Sequence, residues 1–578
     1  MAPLKVAGWL LKELFLVIHG EAVGLTRFPE IPFTMYRVLF VILFFFSSFA
    51  NAQNNNNFEI SKNLDIYSSL LKELNLNYVD EIDPSSLNKT AIEAMLNALD
   101  PYTVFIPESQ IEEFQLMTTG EYGGIGSLIQ QKGEFIIISE PYEGFPAQKA
   151  GLIPGDKLIE INGLSMKGKT SQEVSELLKG QPGTPIHIRV EREGETEPMS
   201  KQLIREKIRI DNIPYYDILK GDIAYIRLSG FTQKAAAEMK KIFMEMKESA
   251  ELKGLIIDLR GNGGGLLNEA VDITNLFIPK GEVVVTTKGK TAEQNTAHPT
   301  RMTPVDTQIP IVVLVNEASA SASEIVAGAL QDFDRAVVVG QRTFGKGLVQ
   351  NVVPLSYNTQ LKITIAKYYI PSGRCIQSVD YADKNPAING TQIKAPVAGE
   401  FKTRRGRTVT DGGGILPDII LEPLRFSAVS SNLYTENLVF DFANQFARKH
   451  KSIGDAADFR IDDETYAEFV AFVNQKNFTF RTESEDMIEN LRKIAEEENY
   501  YHAVAAHIRQ LEEKLTEYKK NDIYKHRLEV DEMLKVEIAS RYYYQKGKII
   551  ASLQNDPELK KAIEVITDPV VYGKLLTP

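Results

Sequence analysis

The sequence predicts a multidomain α/β protein, with an α/β core, a compact β-rich unit ahead of it, and helical segments at both ends. Three observations predict this. Between residues 206 and 424, apolar β-branched runs alternate with stretches of helical spacing. Residues 118–205 hold short strand-like runs divided by glycines, with one helical pattern. Residues 53–117 and 425–578 show apolar residues at helical spacing and few strand signals. A chain of 578 residues has room for several domains, and 43% hydrophobic with 25% charged residues is an ordinary globular balance. The net charge of −12 argues against a nucleic-acid surface. One cysteine, Cys375, allows no internal disulfide and leaves the compartment open.

The N-terminus speaks to the compartment. Arg37 precedes the short apolar run Val38–Phe46, and Ala50-Asn51-Ala52 with a polar stretch follows. This pattern predicts a secretory signal peptide cleaved after Ala52, with Met35 as its start and residues 1–34 out of place ahead of it. The expected location is the periplasm or cell envelope. The alternative is an uncleaved anchor in the inner membrane. Residues 53–117 then read as helical, with patterns over Leu64–Leu76 and Lys89–Leu99, closed by Leu99-Asp100-Pro101-Tyr102-Thr103.

In the β-rich unit, Tyr122-Gly123-Gly124-Ile125-Gly126 leads into strands at Ser127–Gln130 and Phe135–Ser139. A helix at Ser171–Leu178 and a strand at Pro185–Glu191 follow. The glycines do not fit G-x-G-x-x-G and no crossover helix follows, so a nucleotide loop is excluded. The α/β region predicts strands at Ile223–Leu228, Gly254–Arg260, Ile311–Val315 and Ala336–Val339. It predicts helices at Ala235–Met246, Leu266–Leu276 and Glu324–Phe333.

The chemistry concentrates in residues 309–350. A strand feeds a helix through a turn of small residues and hydroxyls, Asn316–Ser321, and a lysine between two glycines, Gly345-Lys346-Gly347, returns one strand later. A serine at a helix start has unpaired backbone N–H groups beside it that can hold an oxyanion. It needs a base, and no histidine lies between His298 and His450. Lys346 is the substitute, since an apolar site lowers a lysine's pKa. Cys375 lacks a histidine or acidic partner pattern and reads as a bystander.

Ser319-Ala320-Ser321-Ala322-Ser323-Glu324-Ile325, with Thr343-Phe344-Gly345-Lys346-Gly347 and Val349-Gln350, resembles the carboxyl-terminal processing or tail-specific proteases, peptidase family S41. The resemblance covers about residues 60–420. It implies that Ser321 is the nucleophile, Lys346 the base and Gln350 the residue that orients the lysine, with Asp332 an accessory in some members. Asp258-Leu259-Arg260-Gly261-Asn262-Gly263-Gly264-Gly265 resembles the family's oxyanion element, with Gly263 where proline is usual. It implies N–H donors from Ala322 and from Gly264, with Gly265 the alternative to the latter. The run Gly155–Gly163 resembles a bacterial PDZ domain, whose physics is addition of a peptide strand to a sheet edge; the resemblance implies that the N–H groups of Gly124, Ile125 and Gly126 catch the peptide's carboxylate.

The implied fold is a crotonase-like β/α protease core with an inserted PDZ domain, a helical N-terminal cap and a mostly helical C-terminal region. The domains are 1–52 upstream segment and signal peptide, 53–117 helical region, 118–205 PDZ, 206–424 protease core and 425–578 helical region. The implied partners are proteins or peptides with a free C-terminus, and no metal or organic cofactor is implied. Residues 425–578 are a candidate homo-oligomer contact, with an adaptor site or packing on the core as the alternatives. His502 and His507, five apart, lack the spacing of a helical metal pair. A non-catalytic PDZ scaffold and an acyl-CoA enzyme on the same fold are the competing readings. Ser321, Lys346 and Gln350 weigh against the first, and the PDZ unit against the second.

Overall fold

The computed structural model describes residues 56–379, 381 and 399–578. The signal segment and residues 380 and 382–398 lie outside the described residues. Among the described residues, no helix is long and apolar enough to cross a membrane.

The chain divides at Ile92 into two units. The first holds helix α1 (residues 56–77) and the start of α2 (Pro84–Asn97), tied by a hydrogen bond of 2.8 Å from the Tyr67 hydroxyl to Asn88 Oδ1.

The second unit begins at Glu93 and contains the PDZ module. Its entry segment Glu121–Gly124 pairs antiparallel with its exit segment Glu206–Arg209, so the module is a closed excursion from the chain. Between them run β1 (Ser127–Lys132), β2 (Phe135–Pro141), β3 (Lys157–Ile161), helix α3 (Ser171–Leu178), β4 (Pro185–Glu191) and β5 (Met199–Ile204). The sheet order is β1-β2-β3-β4-β5, which leaves β1 at an edge. Strand β4 alternates as a half-buried strand must: Ile186, Ile188 and Val190 are buried, and His187 and Arg189 point outward. Helix α3 starts at a capping box between Thr170 and Glu173.

The core follows with β6 (Tyr215–Leu219), β7 (Ile223–Arg227), helix α4 (Ala235–Ser249), β8 (Gly254–Asp258), helix α5 (Leu267–Asn275), β9 (Val283–Gly289), β10 (Thr296–Pro299) and β11 (Ile311–Val315). Helix α6 (Ala322–Asp332), β12 (Val337–Gly340), β13 (Leu348–Pro354), β14 (Gln360–Tyr369) and β15 (Ile419–Ile420) complete it. The central sheet has the order β6-β7-β8-β11-β12-β15 and is parallel apart from the β6–β7 hairpin. Strands β8, β11 and β12 are wholly buried and apolar apart from Asp258 at the end of β8, as a parallel sheet covered on both faces requires. Strands β9, β10, β13 and β14, with the short strand Val104–Ile106, form a second sheet.

One face of the central sheet packs on α4, α5 and α6 through Ile257, Val313, Met239, Ala270 and Val326. The other face presents Tyr225, Ile256, Val312, Leu314 and Val339. The C-terminal region covers it. Helices α7 (Leu438–Lys449), α8 (Asp463–Gln475) and α9 (Arg527–Leu553) share a core around Phe442, Phe469 and Leu534. Helices α10 (Pro557–Thr567) and α11 (Pro569–Leu575) follow, and Leu559, Ala562, Val565 and Ile566 of α10 fill the sheet's second face. This face of the tail is therefore spent within the chain and is not free for the oligomer contact expected of residues 425–578. Helix α7 also reaches the PDZ module, where Asp441 pairs with Lys132 at 2.5 Å and Asn437 ahead of it accepts from Gln130.

Candidate active site

Three adjacent parallel strands deliver their C-terminal ends to one place. Strand β8 runs into Arg260–Gly265, β11 into Asn316–Ser321 and β12 into Gln341–Lys346. Open α/β sheets place their sites at such ends.

Ser321 caps α6 with φ 56° and ψ −112°, a strained conformation for a residue with a side chain. The surrounding turn holds it there. Ala320 N–H donates to Asn262 O at 3.0 Å, and Ser321 N–H donates to Glu324 Oε2 at 2.8 Å. The three chemically alike serines now differ. Ser319 is fully buried and its hydroxyl donates to Leu259 O, while Ser323 is fully buried and donates to Asn262 O. Ser321 is half-buried.

Lys346 is also half-buried. Loss of water, helped by the charge of Lys362, pushes its amine down to about 8, against the pull of Glu324 and Asp100. Its Nζ lies 4.5 Å from the centre of the Tyr102 ring. The Leu99–Thr103 element puts the ring there: the Asp100 carboxylate accepts from Tyr102 N–H and Thr103 N–H at 2.8 Å each, and Thr103 Oγ1 accepts from Thr364 N–H on β14 at 3.2 Å. Among the described residues, Ser321 Oγ and Lys346 Nζ are not hydrogen-bonded to each other; the amine sits over Tyr102 instead.

Glu324 joins the serine turn to the lysine loop. It is fully buried; Oε1 accepts from Thr343 Oγ1 at 2.6 Å and Gly345 N–H at 2.7 Å, and Oε2 from Lys346 N–H at 2.9 Å and Ser321 N–H at 2.8 Å. Burial pushes this carboxyl up to about 7, whereas all four donors favour the charged form. Thr343 Oγ1 accepts from Ile415 N–H, so its own proton must go to Glu324. Four donors fill the four lone-pair positions and leave no seat for a proton, so we describe Glu324 as ionised. Tyr368 adds a second tie: its hydroxyl donates to Lys346 O at 2.6 Å and lies 3.1 Å from Ser321 O.

Gly264 has φ 98°, and a Cβ there would meet Ala320 O at 2.7 Å, Ala322 N at 2.8 Å and Ser321 Cβ at 2.9 Å, so the position accepts only glycine. Its N–H donates to Asn262 Oδ1 at 2.9 Å in this conformation. Ala322 opens α6, where N–H groups lack helical partners.

Two expected members stand apart. Gln350 lies at a register shift in β13, and its amide donates to Thr364 Oγ1 at 3.4 Å rather than to Lys346. Asp332 ends α6, about 16 Å along the helix from Ser321 at 1.5 Å per residue. Its carboxylate binds Arg374 at 2.8 Å and accepts from Ser372 N–H at 2.9 Å; Asp332 and Arg374 are both buried, which makes them a buried structural ion pair. Sequence reasoning missed Tyr102, Thr343, Tyr368 and the bridging role of Glu324. The Ser321-x-x-Glu324 spacing of a capping box was the one available signal.

In the PDZ module, Gly124, Ile125 and Gly126 lie at the head of edge strand β1, with Gly126 at φ 72° and Ile125 buried. Among the described residues, no group of three or more His, Cys, Asp or Glu side chains is arranged to hold a metal. His502 and His507 are both exposed.

A PDZ module joined to a core that gathers serine, lysine and glycine loops defines a class, the PDZ-bearing serine peptidases. Residues 222–388 match peptidase family S41, residues 137–192 a PDZ domain, and residues 429–566 the C-terminal helical domain of probable PDZ-proteases. A carboxy-terminal-processing protease of Bartonella bacilliformis is 35% identical over 328 residues, 56% of this chain and 75% of that protein. A probable CtpA-like serine protease of Staphylococcus aureus is 37% identical over 317 residues, 54% of this chain and 62% of that protein. Among solved structures, a photosystem II D1 C-terminal processing protease is 28% identical with a TM-score of 0.34, over 61% of this chain and 86% of that one. The chain belongs to the carboxy-terminal-processing proteases of peptidase family S41.

Proposed function

We propose that this chain is an exported endopeptidase that takes protein C-termini on its PDZ module and cleaves through a Ser321–Lys346 acyl-enzyme. The observation that carries the reading is the Glu324 carboxylate, which ties the Ser321 turn and the Lys346 loop together beside an amine that burial drives towards neutrality. Lys346 swings from Tyr102 to Ser321, and its neutral amine takes the hydroxyl proton as Oγ attacks the peptide carbonyl carbon. The oxyanion is held by Ala322 N–H and by Gly264 N–H, the latter once released from Asn262. The C–N bond then breaks and the Lys346 ammonium returns the proton to the leaving amine. Water, deprotonated by Lys346, attacks the acyl ester and frees Ser321.

The substrate's C-terminus adds to the open edge of β1, its carboxylate at the N–H groups of Gly124, Ile125 and Gly126. Export rests on the Val38–Phe46 and Ala50-Asn51-Ala52 pattern, and the mature protein begins at Gln53 in this reading.

The deciding experiment is labelling with a fluorophosphonate. The wild-type chain is expected to label and Ser321→Ala not to. Lys346→Arg, whose guanidinium does not deprotonate, is expected to label as poorly as Lys346→Ala. Full labelling of Ser321→Ala would rule the mechanism out.

A further inference from the structure

Behind the loops of the site, on the side of the C-terminal helices, lies one more cluster of charges. Arg260 follows β8 and opens the loop that carries Gly264. Its Nε and Nη2 bind Asp258 at 2.9 and 2.6 Å, and its Nη1 reaches Asp556 at 2.7 Å and Glu558 Oε2 at 2.6 Å. The other oxygen of Glu558 accepts from Gln341 Nε2. Gln341 follows β12 and opens the loop that carries Lys346, and its backbone N–H is fixed to Val315 O at 3.1 Å.

A single carboxylate in the first turn of α10 thus grips the loop after β8 with one oxygen and the loop after β12 with the other. It straddles β11, whose end bears Ser321. The grip is firm. Asp556 caps α10 by accepting Glu558 N–H at 2.9 Å and Leu559 N–H at 3.0 Å. Leu559, Ala562, Val565 and Ile566 anchor the rest of the helix in the sheet's second core. The Glu558 side chain is only 12% exposed, so its charge is little screened.

We propose that Glu558 is a positioning residue for hydrolysis: through it, helix α10 of the C-terminal region sets the separation between the oxyanion loop and the lysine loop. This rests on the Ser321–Lys346 reading, which is tested separately by loss of labelling in Ser321→Ala. A purely structural ion pair would lower the melting temperature and leave turnover per folded molecule unchanged. A positioning residue lowers kcat at unchanged KM, because misplacing reacting groups by about 1 Å costs on the order of 100-fold.

The test uses the full chain and compares Glu558→Gln, Gln341→Leu and the double variant, with Glu558→Asp as the conservative control. Cleavage of a peptide with a free C-terminus gives kcat and KM, and fluorophosphonate gives the labelling rate of Ser321. The expected result is a fall of roughly 10- to 100-fold in kcat and in labelling rate for Glu558→Gln and for Gln341→Leu. KM should stay within about twofold, and the double variant should be no worse than the worse single one, because both remove one bridge. Glu558→Asp keeps the charge but is a methylene short of spanning both partners, and should fall between wild type and Glu558→Gln. Should Glu558→Gln fail to fold, Gln341→Leu carries the test, since it leaves the ion cluster with Arg260 intact. Unchanged kcat in Gln341→Leu, additive losses in the double variant, or a kcat that recovers fully on cooling would each overturn the proposal.

Discussion

Tyr102 is expected to set the pH at which this enzyme works. Its ring covers the Lys346 amine at 4.5 Å, and burial holds that amine at about 8 against an ordinary value of 10.5. The active form of a lysine base is the neutral one, so activity rises as pH climbs through that value. At pH 7.5 a pKa of 8 leaves about a quarter of the molecules neutral, and a pKa of 10.5 about a thousandth. Tyr102→Ala admits water to the amine, and full exposure would therefore cost about 200-fold at pH 7.5; a loss between ~10- and ~200-fold is expected. The assay is kcat/KM against pH from about 6 to 10.5 for wild type, Tyr102→Ala and Tyr102→Phe. The wild-type curve should rise with a midpoint near 8. The alanine variant should reach a similar plateau at higher pH, and the phenylalanine variant, which keeps the ring, should follow wild type. A Tyr102→Ala curve lowered equally at every pH, with its midpoint unmoved, would show that the ring only packs and would refute the reasoning.

Other outcomes follow from the same geometry. Ser319→Ala and Ser323→Ala each remove a buried hydrogen bond and should cost about 1–2 kcal/mol in denaturant unfolding while keeping measurable hydrolysis. Glu324→Gln sets an amide NH2 against two of the four donors that converge there. It should lower stability by about 3 kcal/mol and abolish turnover, read by thermal melting and peptide cleavage. Amidating a substrate's C-terminus removes the charge that Gly124, Ile125 and Gly126 are proposed to hold, so KM should rise several-fold; an unaltered KM would take the PDZ module out of substrate capture.

What the sequence disclosed depended on the range of the interaction involved. Strand β11 lies over Ile311–Val315 and α3 over Ser171–Leu178, where the apolar patterns place them, because burial writes itself into local composition. The loops bearing Ser321, Lys346 and Gly264 were legible as motifs. Tyr102 was not legible as a cover for Lys346, because the two meet only when β14 draws the Leu99–Thr103 turn across the site. Asp332 misled for the same reason. An acid at a helix end looks available until Arg374, distant in sequence, is seen to neutralise it. The C-terminal region read as helical with its role open, because the sheet face it covers belongs to strands hundreds of positions earlier.

The lid that α10 forms over the central sheet has a consequence for how the protein comes into being. Ribosomes deliver β7, β8, β11 and β12 well before α10, so the growing chain carries a bare apolar sheet whose loops lack their last brace. At about 5–20 residues per second, the roughly two hundred residues between Lys346 and Pro557 take some 10–40 s to make. During that interval the peptidase motifs all exist in the nascent chain without the layer that consolidates them. Until α10 is made, the face it will cover, with Tyr225, Ile256, Val312, Leu314 and Val339, has lost none of its apolar surface to that helix.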